Sequence, residues 1–321
     1  MKNKRIIYMG TTKFSAYILE QLIIAGYNIV ALISQPDRQV GRKRELTMTP
    51  TKVIALKYQI TCYGFENINN HAAKIRELNP DLIITCAYGQ KIKQEILDIP
   101  KNKALNVHAS LLPKYRGGAP INYAIINGEK ITGNTIMYME DRLDTGAILA
   151  SSQVEIDLKD TASSLSDKLM RDGAMLLIDT LPAFFQGDLT AQRQDEGSVS
   201  YSYNIKSEFE YIDFNNEVLA VYNKIRGLIE IPGPYAIINH KKIKFYQVFY
   251  EEDEKALPNK VVVDSKKYFK IGCQNGYILV YAFQIEGKKL ISYQDYRNGN
   301  KLDIVHGALM NEGVKYENRS K

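Results

Sequence analysis

A chain of 321 residues is long enough for two domains with cores of their own. Its 45% hydrophobic and 24% charged residues are ordinary for a globular protein and argue against a disordered one. The net charge of +6, from 42 Lys+Arg against 36 Asp+Glu, is a mild excess that permits a polyanionic partner without requiring one. The basic start at residues 1–5 is followed by only a short apolar run at 6–9, far short of a signal-peptide core. No apolar run approaches the ~18 residues of a membrane span, so the expectation is a cytoplasmic protein without a membrane segment. The cysteines, Cys62, Cys86 and Cys273, are odd in number, widely spaced and without a metal-ligand pattern. They are expected to be reduced thiols, with no metal site among them.

Along the chain, the run at 6–9, Gly10, a helical pattern at 14–24 and a strand-like stretch at 29–33 form a βαβ opening. Further helices are expected at about 51–58 and 69–78, and a buried strand at 82–86. Such alternation predicts a Rossmann-like, mostly parallel sheet flanked by helices. Gly10 stands alone where a dinucleotide fingerprint needs three spaced glycines, which argues against NAD. A helix at about 163–185 should pack on this sheet. Residues 190–207 are polar and aperiodic and read as a linker between a domain at 1–189 and another at 208–321. In the second domain a short helix near 218–226 precedes the turn Pro232-Gly233-Pro234. Strand-like segments then follow at 235–238, 241–249, 260–263, 267–273 and 276–283, separated by Gly- and Lys-bearing turns. Short strands at this spacing suggest a small barrel.

The most informative stretch is Asn106-Val107-His108-Ala109-Ser110-Leu111-Leu112-Pro113, followed by Leu143-Asp144-Thr145-Gly146. An apolar run ending at Val107 reads as a buried strand, and residues two apart on a strand project to the same side, so Asn106 and His108 should point together. That pairs an amide donor with an imidazole. Pro113 and the turn Gly117-Gly118-Ala119-Pro120 break regular structure just where an open parallel sheet binds its ligand. Asn106, His108 and Asp144 are accordingly expected at a solvent-facing strand end, outside the core. Singly, a strand-end histidine or an Asp before Thr-Gly is more often structural than catalytic. Their combination with a Ser-Leu-Leu-Pro corner shifts the reading to an active site.

These motifs resemble the folate-dependent formyltransferases, whose signature is an Asn-x-His pair, a Ser-Leu-Leu-Pro turn and a downstream Asp. Gly10-Thr11, Ala87-Tyr88-Gly89, Tyr115-Arg116-Gly117-Gly118-Ala119-Pro120 and the loop Gln35-Pro36-Asp37-Arg38-Gln39-Val40-Gly41-Arg42 narrow the resemblance to methionyl-tRNA formyltransferases. It is strong to about residue 190 and fainter, though continuous, beyond. The resemblance implies 10-formyltetrahydrofolate as co-substrate, initiator methionyl-tRNA as partner, a monomer, no metal, and an OB-like C-terminal domain that helps hold tRNA. It gives catalytic roles to Asn106, His108 and Asp144. It gives folate contacts to Ser110, Leu111, Leu112 and Pro113. Tyr88 and Gly89 are expected to line the pterin pocket, although Tyr88 reads equally well as core. Arg38, Arg42, Lys43 and Arg44 are expected to meet the tRNA, Arg42 first, because an arginine can pair bidentately with a phosphate or a base edge.

The chemistry the resemblance implies is acyl transfer. An amine attacks the formyl carbon, charge develops on the formyl oxygen, and the amine loses a proton, so an oxyanion donor must stand near a proton acceptor. Ser110 is not needed as a nucleophile, because the amine is itself competent. Thr12-Lys13 stands where the family usually has Pro and an acidic residue, the stretch 90–93 is more polar than usual, and the usual Trp near Pro232 is missing. Three other readings remain: formyl transfer to a sugar nucleotide or a purine precursor, a folate-dependent formyl hydrolase, and a non-catalytic folate- or RNA-binding module.

Overall fold

A computed structural model describes residues 2–40, 44–230, 232–299 and 304–311. The chain forms two compact units. One comprises Met1–Pro120, Lys130–Ile156 and Leu165–Tyr203, the other Ile121–Glu129, Asp157–Ser164 and Asn204–Lys321.

In the first unit the chain runs β1 (Ile6–Gly10), α1 (Lys13–Ile24), β2 (Ile29–Ser34), β3 (Arg38–Val40), β4 (Glu45–Thr47), α2 (Pro50–Lys57) and β5 (Cys62–Gly64). It continues through α3 (Ala72–Glu77), β6 (Leu82–Cys86), α4 (Gln94–Leu97), β7 (Ala104–His108) and β8 (Arg116–Gly117). After α5 (Pro120–Ile126), which from Ile121 on belongs to the second unit, come β9 (Ile131–Tyr138), β10 (Ile148–Glu155), α6 (Ala162–Gln186), in the first unit from Leu165 on, and β11 (Tyr201–Ser202). Seven strands form one sheet in the order β10-β9-β7-β6-β1-β2-β5. From β7 to β5 all neighbours are parallel, while β9 and β10 add an antiparallel edge. This is the mostly parallel sheet expected.

Alternation along the central strands explains why they read as unbroken apolar runs. Ile6 and Tyr8 of β1 join one core with Ile18, Leu19 and Leu22 of α1 and Leu177 and Leu181 of α6. Ile7 and Met9 join another with Ile75 of α3 and Ile96 and Leu97 of α4. Both faces are covered, so no position on these strands needs a polar side chain. The chain leaves β1 toward β5 on one side and toward β10 on the other, which makes the β1/β6 boundary the switch point where such sheets bind ligands at their carboxyl ends. Gly10, Cys86 and His108 end the three strands there.

Two expectations are corrected locally. The helix expected at 69–78 is broken: a 3-10 turn at Ile68–Asn70 precedes α3, and Asn67 caps it by accepting from the Asn69 amide at 3.0 Å. The loop expected around 35–44 contains an antiparallel hairpin, with Arg38 opposite Thr47 and Gln39 opposite Leu46. Of the polar stretch at 190–207, the part up to Tyr203 belongs to the first unit. Gln192 bridges to Ile148, and β11 pairs in parallel with β8; these partners lie more than 40 residues away along the chain, so the sequence shows no local period.

The second unit carries α7 (Val218–Leu228), β12 (Tyr235–Ile238), β13 (Lys241–Glu252), β14 (Val261–Val262), β15 (Phe269–Cys273), β16 (Gly276–Ile285), β17 (Ile291–Ser292) and α8 (Tyr293–Asn298). Its strands form an antiparallel sheet in the order β12-β13-β16-β15-β14, with β17 on β16. Register shifts between Phe245 and Val248 mark bulges in β13, the device by which a sheet bends. The sheet curls as a half-barrel around Phe214, Phe245, Phe269 and Phe283, closed by Val218, Val221 and Ile225 of α7, which is the small barrel the strand spacing suggested. Among the described residues no helix is long and apolar enough to cross a membrane.

Candidate active site

The carboxyl end of β7 meets the Tyr115–Gly117 turn and the loop after β9. Asn106 lies beside Thr85 of β6, whose hydroxyl donates to Asn106 Oδ1 at 2.8 Å. That bond turns the amide so that Nδ2, a donor of two hydrogens, is the end left over.

His108 closes β7, but the expectation of a solvent-facing ring is corrected: the residue is 6% exposed. The turn that follows the strand folds back over it. Tyr115, at φ +62, aims its carbonyl at His108 Nε2, 2.9 Å away. A carbonyl only accepts, so Nε2 carries the hydrogen and Nδ1 is the nitrogen left to take a proton. Nδ1 lies 3.7 Å from Asp144 Oδ2, an electrostatic approach longer than a hydrogen bond. Asp144 likewise does not stand at a strand end. It sits in the loop between β9 and β10 at φ +51, and its Oδ2 accepts from the Gly117 amide at 2.8 Å. Gly117 must be glycine, because at φ +118 a Cβ would stand 2.4 Å from the Ser202 carbonyl oxygen. Ala87, Tyr115 and Asp144 all occupy the left-handed region, the local strain that active sites tend to store.

The Ser-Leu-Leu-Pro turn is closed on itself. Ser110 is fully buried; its hydroxyl donates to the Lys114 carbonyl at 2.6 Å, and its own carbonyl accepts from Thr135 Oγ1 at 2.6 Å. Leu112 is buried, its amide donating to Thr135 Oγ1 at 3.2 Å, while Leu111 and Pro113 are half-buried. Tyr88 belongs to the core beside Met9 and Ile92, and its hydroxyl is buried without a hydrogen-bond partner. Burial pushes that phenol well above the usual tyrosine range. Its carbonyl accepts from Thr11 Oγ1 at 2.9 Å and Gln35 Nε2 at 3.2 Å, tying together loops that leave β1, β2 and β6. Gly89 follows at φ +85.

The positive hairpin is a separate element. Arg38 and Arg44 are exposed; Arg42 and Lys43 lie outside the described residues. At its base, Lys52 of α2 donates to Asp37 Oδ2 at 2.5 Å, and that bond holds the Lys52 ammonium above its ordinary value. Thr49 caps α2 by accepting from the Lys52 amide at 3.3 Å. Sequence reading brought Asn106, His108 and Asp144 to one place, and it missed Thr85 and the Tyr115 carbonyl, which orient them. Backbone acceptors leave no trace in residue identity. Among the described residues there is no group of three metal-ligating side chains.

A mostly parallel sheet with an Asn, His and Asp at its carboxyl edge defines a class. Residues 4–181 match the formyl transferase family, and residues 204–301 match the formyl transferase C-terminal domain. The chain is 43% identical over 308 residues to methionyl-tRNA formyltransferase of Bacillus mycoides, covering 94% of this chain and 97% of that protein. It is 39% identical over 309 residues to the enzyme of the same name from Staphylococcus epidermidis, covering 95% and 99%. Among solved structures, an N-formyltransferase from Helicobacter canadensis superposes with a TM-score of 0.66 at 22% identity, over 86% of this chain and 98% of that one. HypX from Aquifex aeolicus, in complex with tetrahydrofolic acid, gives 0.65 at 17% identity over 91% of this chain, which spans about half of that protein (46%). The chain belongs to the methionyl-tRNA formyltransferase family.

Proposed function

We propose that the protein transfers the formyl group of 10-formyltetrahydrofolate to the α-amino group of methionyl-initiator tRNA, acting in the cytoplasm as a monomer. Identity of about 40% to enzymes of that name over nearly the whole chain supports the reaction. The single observation that carries the site is His108, donating from Nε2 to Tyr115 while Nδ1 faces Asp144.

The amine attacks the formyl carbon, forming the new C–N bond. Asn106 Nδ2 donates to the oxygen on which charge develops, as an oxyanion donor does. The attacking amine gives its proton to His108 Nδ1. The resulting imidazolium has a hydrogen-bond acceptor at Nε2, the Tyr115 carbonyl, and a counter-charge near Nδ1, the Asp144 carboxylate 3.7 Å away, so the charge forms where the structure receives it. When the C–N bond to folate breaks, that proton goes to the departing folate nitrogen, and His108 returns to its Nε2–H form. No covalent enzyme intermediate is required.

We assign the folate to the carboxyl edge between the Tyr88-Gly89 loop and the turn at Ser110, Leu111, Leu112 and Pro113. Leu111 and Pro113 offer surface there, and Ser110 shapes the turn. Arg38, Arg42, Lys43 and Arg44 are assigned to the tRNA, with residues 1–189 as the catalytic domain and 208–321 as a second, tRNA-holding domain. The test is incorporation of labelled formyl into charged tRNA. Formylation of initiator but not elongator methionyl-tRNA is expected. Transfer to an amino-sugar nucleotide instead, or formate release at the same rate without tRNA, would replace this reading by one of the alternatives.

A further inference from the structure

We propose that Gln194 is a positioning residue that holds the Asp144 loop in register with His108; the proposal rests on the proton-handling role assigned to Asp144. Gln194 lies in the polar stretch after residue 190, half-buried, and every hydrogen-bonding position of its amide is spent on this one task. Oε1 accepts from Arg116 Nε at 3.0 Å and from Nη2 at 2.8 Å. Nε2 donates to the carbonyls of Asp144 and Gly146, each at 2.8 Å. The orientation is fixed by chemistry: a guanidinium cannot accept, so the oxygen must face Arg116, and the two N–H bonds are left for the two carbonyls.

Arg116 is itself held on several sides. It is fully buried, its Nη2 donates to Glu196 at 2.9 Å, and its backbone amide donates to Ser200 at 2.9 Å. The Arg116 guanidinium beside Glu196 holds that carboxyl below its usual range. On the other side the loop has little slack, since a Cβ at Gly146 would stand 1.8 Å from the Tyr138 carbonyl oxygen. Arg116 lies between Tyr115, whose carbonyl binds His108, and Gly117, whose amide binds Asp144. The link Arg116–Gln194–Asp144 therefore joins the segment that sets the imidazole to the loop that sets the carboxylate. Without it, the Gly117 amide is the hydrogen-bond partner that Asp144 keeps among the described residues.

Steady-state kinetics on the full-length chain test this with Gln194→Ala, Gln194→Glu, Asp144→Asn and the double variant Gln194→Ala/Asp144→Asn. Gln194→Glu keeps an acceptor for Arg116 but sets a carboxylate oxygen against two carbonyls, so the fold is retained and the loop is displaced. Both single changes at Gln194 should lower kcat about 100-fold, the usual effect of misplacing a reacting group by an ångström, with KM for folate and tRNA unchanged and thermal unfolding close to wild type. The double variant should be no slower than Asp144→Asn alone, because Gln194 acts through that residue. Wild-type kcat in folded Gln194→Glu, a change confined to KM, losses that multiply in the double variant, or loss of folding in both single variants would overturn the proposal. A fully active Asp144→Asn would instead remove the role of Asp144 itself, whatever Gln194 does.

Discussion

His108 is 6% exposed and Arg116 fully buried, whereas Arg38 and Arg44 stand in solvent on a hairpin whose Leu46 is 71% exposed. The two regions use polar residues on opposite plans. At the sheet edge each functional group is held by a second group: Asn106 by Thr85, His108 by the Tyr115 carbonyl, Asp144 by the Gly117 amide. Beside the hairpin, at its base, stand the Lys52–Asp37 pair and the Thr49 cap. A bond-making step gains from donors that need no reorganisation. Recognition of a phosphate backbone gains from charges that reach into solvent.

If that contrast is right, damage at the edge should appear in kcat and damage on the hairpin in tRNA binding. The largest effect is expected for Asn106→Ala, His108→Ala and Asp144→Ala, each lowering kcat by about 100- to 1,000-fold, the range seen when an oxyanion donor is removed. Circular dichroism should show an intact fold, and wild-type turnover in any one variant removes that residue from the mechanism. Next come Arg38→Ala, Arg42→Ala and Arg44→Ala. Each should raise KM for initiator tRNA about 10-fold, the value of one charged hydrogen bond, while KM for folate stays put. The salt dependence of tRNA binding should also flatten by roughly 0.7 to 0.9 in log-log slope per lost phosphate contact. An equal rise in both KM values would place the hairpin outside tRNA recognition.

Thr85→Val sharpens the comparison at smaller scale. It frees the Asn106 amide to flip without touching the donor itself, and about a 5-fold loss in kcat is expected, the net value of a neutral hydrogen bond. No loss would mean that the amide is oriented by something else. The smallest effect concerns the thiols. Burial pushes Cys86 and Cys273 up to about 12, and half-buried Cys62 is raised less. Because the thiolate is the reactive form, iodoacetamide at about pH 8 should label Cys62 first, as read by mass spectrometry. Equal labelling of Cys86 would contradict the packing of β6.

The sequence carried the central sheet well because burial on both faces leaves an unmistakable apolar run, as at residues 6–9 and 82–86. It carried β10 poorly: this edge strand reads Ile-Leu-Ala-Ser-Ser-Gln-Val-Glu and turns alternate residues to solvent, so its apolar signal is weak. Asn106, His108 and Asp144 were legible as a motif, but the geometry that makes them a site was not. Tyr115 acts through its carbonyl and Gly117 through its amide, main-chain groups whose partners no sequence motif announces. The polar run around Gln194 reads as a linker because polar residues usually face solvent. Here its partners, Arg116 and the Asp144 loop, are 78 and 50 residues away, beyond the reach of any local pattern.

Single-turnover formylation of initiator methionyl-tRNA, followed at saturating and at limiting tRNA, tests the division of labour most directly. Asp144→Asn should be slow at both concentrations. A double Arg38→Ala/Arg44→Ala variant should be slow at limiting tRNA and recover the wild-type rate constant at saturation. A hairpin variant that stays slow under saturation, or an Asp144→Asn enzyme rescued by more tRNA, would contradict the account.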